Sequence, residues 1–167
     1  MSAHPEPRSS PVPVVEADRH DDAPAVQALV LAAFGPGRFA KTAERVREAS
    51  SIAAGFVVRR GTAILGSVRL WTIRIGDEDA LFLGPIAVDA AARNAGLGQA
   101  MVEACVTWSR TAGASGILLV GDAPWFGRSG FVPVAGVSLP GPVDVGRLMW
   151  LSLDGSSPAG AVRGVRA

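Results

Sequence analysis

The sequence contains no tyrosine, one cysteine and two histidines among its 167 residues. A single thiol, Cys105, cannot form a disulfide within the chain, and one cysteine with two histidines cannot complete a Cys/His zinc cage. We therefore expect a metal-free protein from a reducing, cytoplasmic compartment. The absence of tyrosine also removes one of the side chains that can act as a general acid, which limits the mechanisms open to this chain.

The net charge of the chain is also small, and its apolar runs are short. Sixteen basic residues are balanced by 15 acidic residues, so the net charge is +1, and no dense basic run is present to suggest a nucleic-acid partner. The start of the chain, MSAHPEPRSSPVPV, lacks the apolar core of a signal peptide, and the longest apolar run, 28–34, is too short to span a bilayer. The sequence predicts a cytoplasmic protein without a nucleic-acid or membrane partner, and leaves monomer and homodimer open.

Apolar residues, in contrast, make up 49% of the chain, which is enough to form the core of one globular domain. Residues 1–11 are rich in proline, and residues 155–167 are poor in core-forming side chains, so both segments are predicted to be flexible tails. Residues 12–154 are predicted to form a single domain.

The hydrophobic patterns predict a mixed α+β domain. Helices are expected from Pro24 to Phe34, over 41–49, from Leu97 to near Gly113, and briefly over 124–129. Strands are expected over 12–17, 52–60, 63–75, 81–88, 117–120, 131–134 and 147–154. Because strand 81–88, the helix after it and strand 117–120 form a crossover unit, these two strands should be parallel.

The stretch GPIAVDAAARNAGLGQA, 84–100, interrupts a predicted core strand with Gly84 and Pro85. Proline has no N–H to give to a strand ladder, so the pairing should open at this point. Beyond the opening, the backbone groups of residues 86–88 would lack partners on the neighbouring parallel strand and would need another source of hydrogen bonds. An extended ligand that carries amides could provide them.

Downstream, residues 93–98 read Arg-Asn-Ala-Gly-Leu-Gly and lead into the predicted helix. The first N–H groups of a helix are unpaired and lie at the positive end of its dipole, so they favour phosphates. Gly96 and Gly98 would allow a close backbone approach, and Arg93 adds a positive charge. A ligand with amides at one end and a diphosphate at the other fits coenzyme A better than a plain nucleotide.

The glycine segment has two other interpretations. It could be a simple turn between a loop and a helix, or it could belong to a nicotinamide or flavin site. A dinucleotide-binding crossover expects glycine almost directly after the strand and a third small residue where this chain has Met101. A P-loop is excluded because no Gly-Lys-Ser/Thr sequence follows.

The apolar strand, the Arg-x-x-Gly-x-Gly pattern at 93–98 and the apolar helix resemble the acetyl-CoA motif of the GNAT N-acetyltransferase superfamily. The segment ILLVGDAPWFGRSGFVPV, 117–134, resembles the second half of that fold, especially in its bacterial YhbS-like branch. The resemblance implies a mixed, mainly antiparallel sheet with one splayed parallel strand pair, flanked by helices. It also implies acetyl-CoA as co-substrate and transfer of the acetyl group, by direct attack in a ternary complex, to a primary amine of a small molecule or protein.

The same resemblance implies where the co-substrate binds. The splayed strand would contact the pantetheine amides and thioester, the glycine loop would hold the pyrophosphate, and the short helix would lie near the thiol. The predicted residues are Ile86, Ala87, Val88, Arg93, Asn94, Ala95, Gly96, Leu97, Gly98, Gln99, Trp125 and Phe126. Trp71 and Arg69 lie on the strand that lines the acceptor side in the family, but Trp71 fits a core position better and Arg69 fits a solvated face better.

The catalytic residues remain unassigned at this level. Family members often place a glutamate on the splayed strand and a tyrosine on the short helix, but residues 81–88 contain no acid and the chain contains no tyrosine. Asp122 either caps the short helix or contacts the acceptor, and Cys105 fits an apolar helix face better than a catalytic position. The alternative function is therefore an acyl-CoA-binding sensor or interaction module without efficient transfer.

Overall fold

The computed structural model of the protein describes residues 13–37, 41–93 and 95–167. The predicted tail over 1–11 and the predicted site residue Asn94 lie outside these ranges. The helices are α1 (Ala23–Phe34), α2 (Thr42–Glu48), α3 (Leu97–Thr111) and α4 (Ala123–Gly127). The strands are β1 (Val14–Ala17), β2 (Ile52–Arg60), β3 (Ala63–Ile75), β4 (Glu78–Leu83), β5 (Ala87–Val88), β6 (Gly116–Val120), β7 (Val132–Pro133), β8 (Val137–Ser138), β9 (Leu148–Ser152) and β10 (Gly160–Gly164).

One mixed sheet organises the fold, with the strand order β1-β2-β3-β4-β6-β9-β7. Most neighbours are antiparallel, and the β2–β3 hairpin turns at Gly61, which adopts a φ of 59°. β4 and β6 are parallel, as a crossover through α3 requires. A further two-residue parallel contact joins β8 to β10.

The two faces of the sheet carry separate apolar clusters. On one face, Met101 and Cys105 of α3 pack with Val58, Leu70 and other buried strand residues. On the other face, Val46 of α2 packs in a cluster with Phe82 and Trp150. Burying both faces explains why β4 and β6 are almost entirely apolar.

The start of α1 is fixed to the sheet by an ion pair. The Asp22 carboxylate accepts hydrogen bonds from Arg59 Nη2 at 2.7 Å and from the Arg19 backbone N–H at 2.8 Å. The Arg59 guanidinium, followed by the Arg19 N–H, lowers the pKa of Asp22 below its usual range. His20 lies in the 3₁₀ turn directly before this helix, in agreement with a structural role at its start.

Residues 155–167 do not form the flexible tail that the sequence predicted. Gly160–Gly164 form β10, which pairs with Ile73–Ile75 on the edge of β3 that β2 leaves uncovered. Val162 is buried in the cluster beneath α2. This one apolar contact anchors a segment whose composition predicted no core residue. The folded unit therefore extends past residue 154.

The predicted strand over 81–88 is also divided in two. β4 ends at Leu83, and after a break the short β5 resumes at Ala87. Among the described residues, no helix is long and apolar enough to cross a membrane, and no group of three His, Cys, Asp or Glu side chains is placed to hold a metal ion.

Candidate active site

The break after β4 is fixed by backbone and side-chain hydrogen bonds. The Gly84 N–H donates to Arg69 O at 2.9 Å, and Trp71 Nε1 donates to Gly84 O at 2.6 Å. Gly84 has a φ of 137°, and a Cβ at this position would lie 2.8 Å from Nη2 of Arg47. Only glycine suits this conformation and this close approach. The hydrogen bond from Trp71 fixes the orientation of the Gly84 carbonyl.

Beyond the break, the chain continues along β3 and leaves β6. Ala87 and Val88 pair with Ser67 and Gly66 of β3. The parallel pairing of β4 with β6 stops at Phe82 and Leu118, so the edge that β5 turns toward β6 has no strand partner among the described residues. The backbone N–H of Ile86 likewise donates to no backbone group in the described part of the chain.

The gap between the two strands widens into a cavity of about 560 Å³. Its walls come from the end of β4 and the following residues 83–86, the end of β6 at 119–122, α2 and the segment 139–147. Such a volume fits a small-molecule ligand. Ile86 and Phe126 are the two predicted site residues that line it.

The start of α3 lies near the gap, because Gly98 closely approaches Trp125 of α4, the short helix that follows β6. Gly96 precedes this helix with a φ of 74°, and no side chain caps the first N–H groups of the helix. Arg93 forms no ion pair with any described residue. The start of α3 therefore offers unpaired N–H groups and a free guanidinium to an anion.

The short helix α4 contacts both the start of α3 and the cavity. A Cβ on Gly98 would lie 3.1 Å from Cζ2 of Trp125, so the glycine allows α3 and α4 to pack closely. The Trp125 and Phe126 rings contact edge to face at 4.6 Å, and Phe126 contacts Phe131 at 5.9 Å. The Phe126 ring is thus fixed at the boundary between the cavity and the core.

Asp122 caps the short helix and also lines the cavity, while its contact with an acceptor stays a prediction. Its Oδ2 accepts the Trp125 N–H at 3.1 Å and so caps α4. The same exposed residue also lines the cavity at the end of β6.

Several predicted site residues have side chains in the core or in structural contacts. Ala87 and Leu97 are buried, so only their backbone groups can reach a ligand. Gln99 donates from Nε2 to Ser129 Oγ at 2.7 Å, which links α3 to the segment after α4. Arg93, Ala95 and the start of α3 do not line the cavity.

Cys105 is structural, as expected. It is fully buried in the cluster beneath α3, and burial raises its thiol pKa to about 12. Trp71 and Arg69 line a second, smaller cavity of about 110 Å³ that shares Arg47 and Pro85 with the first.

Sequence reasoning did not find most of the charged residues that line the cavity. They come from the start of α2 and from the segment before β9, and they are Lys41, Arg45, Arg47, Asp144 and Arg147. These segments show no sequence motif. Their charged residues are identified only because the fold brings them together around the cavity.

The sequence model of the acetyltransferase (GNAT) family matches residues 23–125. The chain belongs to the GNAT acetyltransferase family. The match includes the strand gap, the glycine loop and the first residues of α4, and it confirms the resemblance of residues 93–98. No curated protein sequence matches this GNAT chain significantly.

Solved GNAT structures share the whole architecture. YhbS from Escherichia coli, in complex with CoA, is 22% identical with a TM-score of 0.80, and the match covers 97% of this chain and 93% of that one. A Brucella melitensis GNAT acetyltransferase, in complex with acetyl-CoA, is 22% identical with a TM-score of 0.74, covering 92% and 96% of the two chains. The ribosomal-protein-S18-alanine N-acetyltransferase from E. coli is 18% identical with a TM-score of 0.61, covering 87% and 96%. These likenesses confirm the predicted GNAT fold.

Proposed function

We propose that this protein transfers an acetyl group from acetyl-CoA to an amine, which attacks the thioester directly in a ternary complex. The observation that carries the proposal is the gap between β4 and β6, which opens into a cavity and lies near the uncapped start of α3. Family membership and the CoA and acetyl-CoA complexes of similar structures support it. The single buried, unpaired Cys105 is in keeping with a cytoplasmic setting.

The chain offers the groups that acetyl-CoA requires. The free N–H groups at the start of α3 and the guanidinium of Arg93, which has no ion pair among the described residues, suit the pyrophosphate. The open edge of residues 86–88 suits the pantetheine amides. When bound, acetyl-CoA would supply an activated acetyl group with a thiolate as its leaving group.

At the cavity end, the chain orients the reactants and stabilises charge. The free N–H of Ile86 is available to the oxyanion that develops on the acetyl carbonyl, and Phe126 limits the space beside it. Correct alignment of two reactants is worth about 7–11 kcal/mol of the barrier, so positioning supplies much of the proposed catalysis.

The acceptor must lose a proton before it attacks, because an alkyl ammonium with a pKa near ~10 is mostly charged at neutral pH. Asp122 is a carboxylate in the cavity wall at the end of β6, next to the short helix that bears Phe126. We assign Asp122 to bind the ammonium and accept its proton, directly or through water.

We expect Asp122→Asn to lower kcat for the acceptor by about 100-fold, at the low end of the usual range for general base catalysis. Asparagine caps helices as well as aspartate does, so α4 should keep its position and the Kd of acetyl-CoA should not change. Steady-state CoA release and calorimetric titration measure these two quantities.

The matched control is Asp154→Asn, because Asp154 also accepts a backbone N–H, that of Ser156 at 2.8 Å, but does not line the cavity. It should retain wild-type kcat. Equal kcat values for the Asp122 variant and wild type would show that Asp122 only caps α4.

The lack of tyrosine favours a second candidate function, an acyl-CoA-binding module without efficient transfer. Trp125 and Phe126 occupy α4 and provide no acidic hydroxyl. The proposed transfer does not need one, because a thiol with a pKa of ~8.5 is a fair leaving group as the thiolate. Turnover with an amine therefore separates the two functions.

The test measures the melting temperature with acetyl-CoA, CoA and NAD at equal concentrations, and then CoA release with a panel of amines. We expect both CoA compounds, but not NAD, to raise the melting temperature, and at least one amine to release CoA faster than water does. Stabilisation without turnover on any amine would support the binding module. No stabilisation by either CoA compound would overturn both functions.

A further inference from the structure

The cavity on the acceptor side carries guanidinium groups that no carboxylate neutralises. Arg47 pairs with Glu44 at 3.1 Å, whereas Arg45 and Arg147 form no ion pair with any described residue. Both belong to the cavity wall, on α2 and directly before β9 respectively. Four basic side chains line the cavity against two carboxylates, those of Asp122 and Asp144, so the wall presents a net positive charge to whatever binds there.

Arg147 is also held in position. Its Nε donates to Gly121 O at 3.3 Å, so the guanidinium is anchored to the end of β6 where the strand gap begins. Its two terminal nitrogens form no hydrogen bond with described residues. A planar guanidinium fixed at one nitrogen loses little further freedom on binding, and its remaining N–H groups match the two oxygens of a carboxylate.

On the α2 side of the cavity, Arg45 is also held by a contact with a backbone oxygen. Thr42 Oγ1 donates to Pro142 O at 2.6 Å, and Arg45 Nη1 makes a longer contact of 3.4 Å with Pro140 O. A Cβ on Gly141 would lie 2.8 Å from Thr42 Oγ1, so α2 and the segment 139–147 are tightly joined. The two arginines are thus on fixed walls of one cavity.

We infer that the acceptor is an amine that carries a carboxylate, of the amino-acid type, with the carboxylate bound by Arg147 and assisted by Arg45. This inference rests on the proposed acetyl transfer. Asp122 receives the ammonium at the strand end, and Arg147 receives the acid group, so the two charges of a zwitterionic amine have opposite partners in the cavity. Polyamines and aminoglycosides would place several positive charges against the arginines and are disfavoured.

The test compares amino acids with their matched α-carboxamides as acceptors for the full-length protein. The two series have the same carbon skeleton and side chain, and the carboxamides lack the negative charge. We expect kcat/KM for the best amino acid to exceed that of its carboxamide at least tenfold. We expect Arg147→Gln to remove this preference, because KM rises much more for the acid than for the carboxamide, while KM for acetyl-CoA stays unchanged.

The control variant is Arg110→Gln, in the last turn of α3 and outside the cavity lining, which changes the net charge equally. It should keep the preference for the acid. An equal or higher kcat/KM for carboxamides would overturn the inference. An acid preference that survives Arg147→Gln would also overturn it. A higher KM for acetyl-CoA in that variant would overturn it as well, because Arg147 would then belong to the co-substrate site.

A binding measurement separates failure of the inference from failure of the proposed function. If no amine is acetylated, the melting temperature of the CoA-saturated protein is measured with each amino acid and each carboxamide. Greater stabilisation by acids in the wild type, lost in Arg147→Gln, would support the carboxylate site without transfer. Equal stabilisation by both series would overturn it.

Discussion

Arg93→Glu is expected to weaken acetyl-CoA binding about 100-fold, because hydrogen bonds to charged groups are worth about 1.5–3 kcal/mol and each factor of ten is 1.4 kcal/mol. Arg93 lies just before α3 and has no ion pair among the described residues, so its charge is available to the pyrophosphate. A glutamate there would repel the phosphates at the helix start. Calorimetric titration with CoA measures the change.

Arg110→Glu is the matched control, since it makes the same change in charge at the far end of α3. At 1.5 Å per residue within the helix, Arg110 lies roughly 20 Å from the start of α3, which is beyond the Debye length at physiological salt. Its CoA affinity should equal that of the wild type. If Arg93→Glu also binds CoA with unchanged affinity, the pyrophosphate does not lie at the start of α3.

Gly116→Ala is expected to destabilise the protein by about 3 kcal/mol, or roughly 10 °C in Tm. A Cβ on Gly116 would overlap the ring of Trp150 and lie 2.5 Å from the backbone oxygen of Leu151. Gly116 pairs with Ser152 at the start of β6, so neither strand can move without disturbing the ladder. Urea unfolding followed by tryptophan fluorescence measures the loss.

Gly127→Ala provides the comparison, because no atom lies within 4 Å of its Cβ position and its φ is not in the positive range. This variant should unfold at the same urea concentration as the wild type or slightly higher. Similar stability for the two alanine variants would mean that Trp150 and β9 adapt to the added methyl group.

The hairpin and the strand break could be predicted from sequence because their signals are local. The bounds 52–60 and 63–75 are those of β2 and β3, since alternating apolar residues flank Gly61. Pro85 indicated the end of the β4 ladder because proline lacks the N–H that a ladder needs. The glycine loop before α3 is equally local, and together with the strand before it, the helix after it and residues 117–134 it indicated the family.

The acceptor side could not be predicted because it forms only through long-range contacts. Thr42 reaches Pro142, and Arg147 reaches Gly121, across segments with no periodic pattern of their own. β10 was missed for a related reason. It is bounded by Gly160 and Gly164 and buries Val162, a pattern too short to separate from that of a tail.

The attachment of α2 has a consequence for how the site moves. This helix has seven residues, and isolated helices shorter than about 12–15 residues are marginal in water. It is held by distant partners: Glu48 O accepts a hydrogen bond from Arg166 Nη2 at 2.5 Å, and a Cβ on Gly164 would lie 2.5 Å from the carbonyl carbon of Ala49. The position of this cavity wall therefore depends on contacts that are distant in sequence, and not on the helix itself. Loss of the chain beyond β10 would loosen the wall while the central strands stay closed.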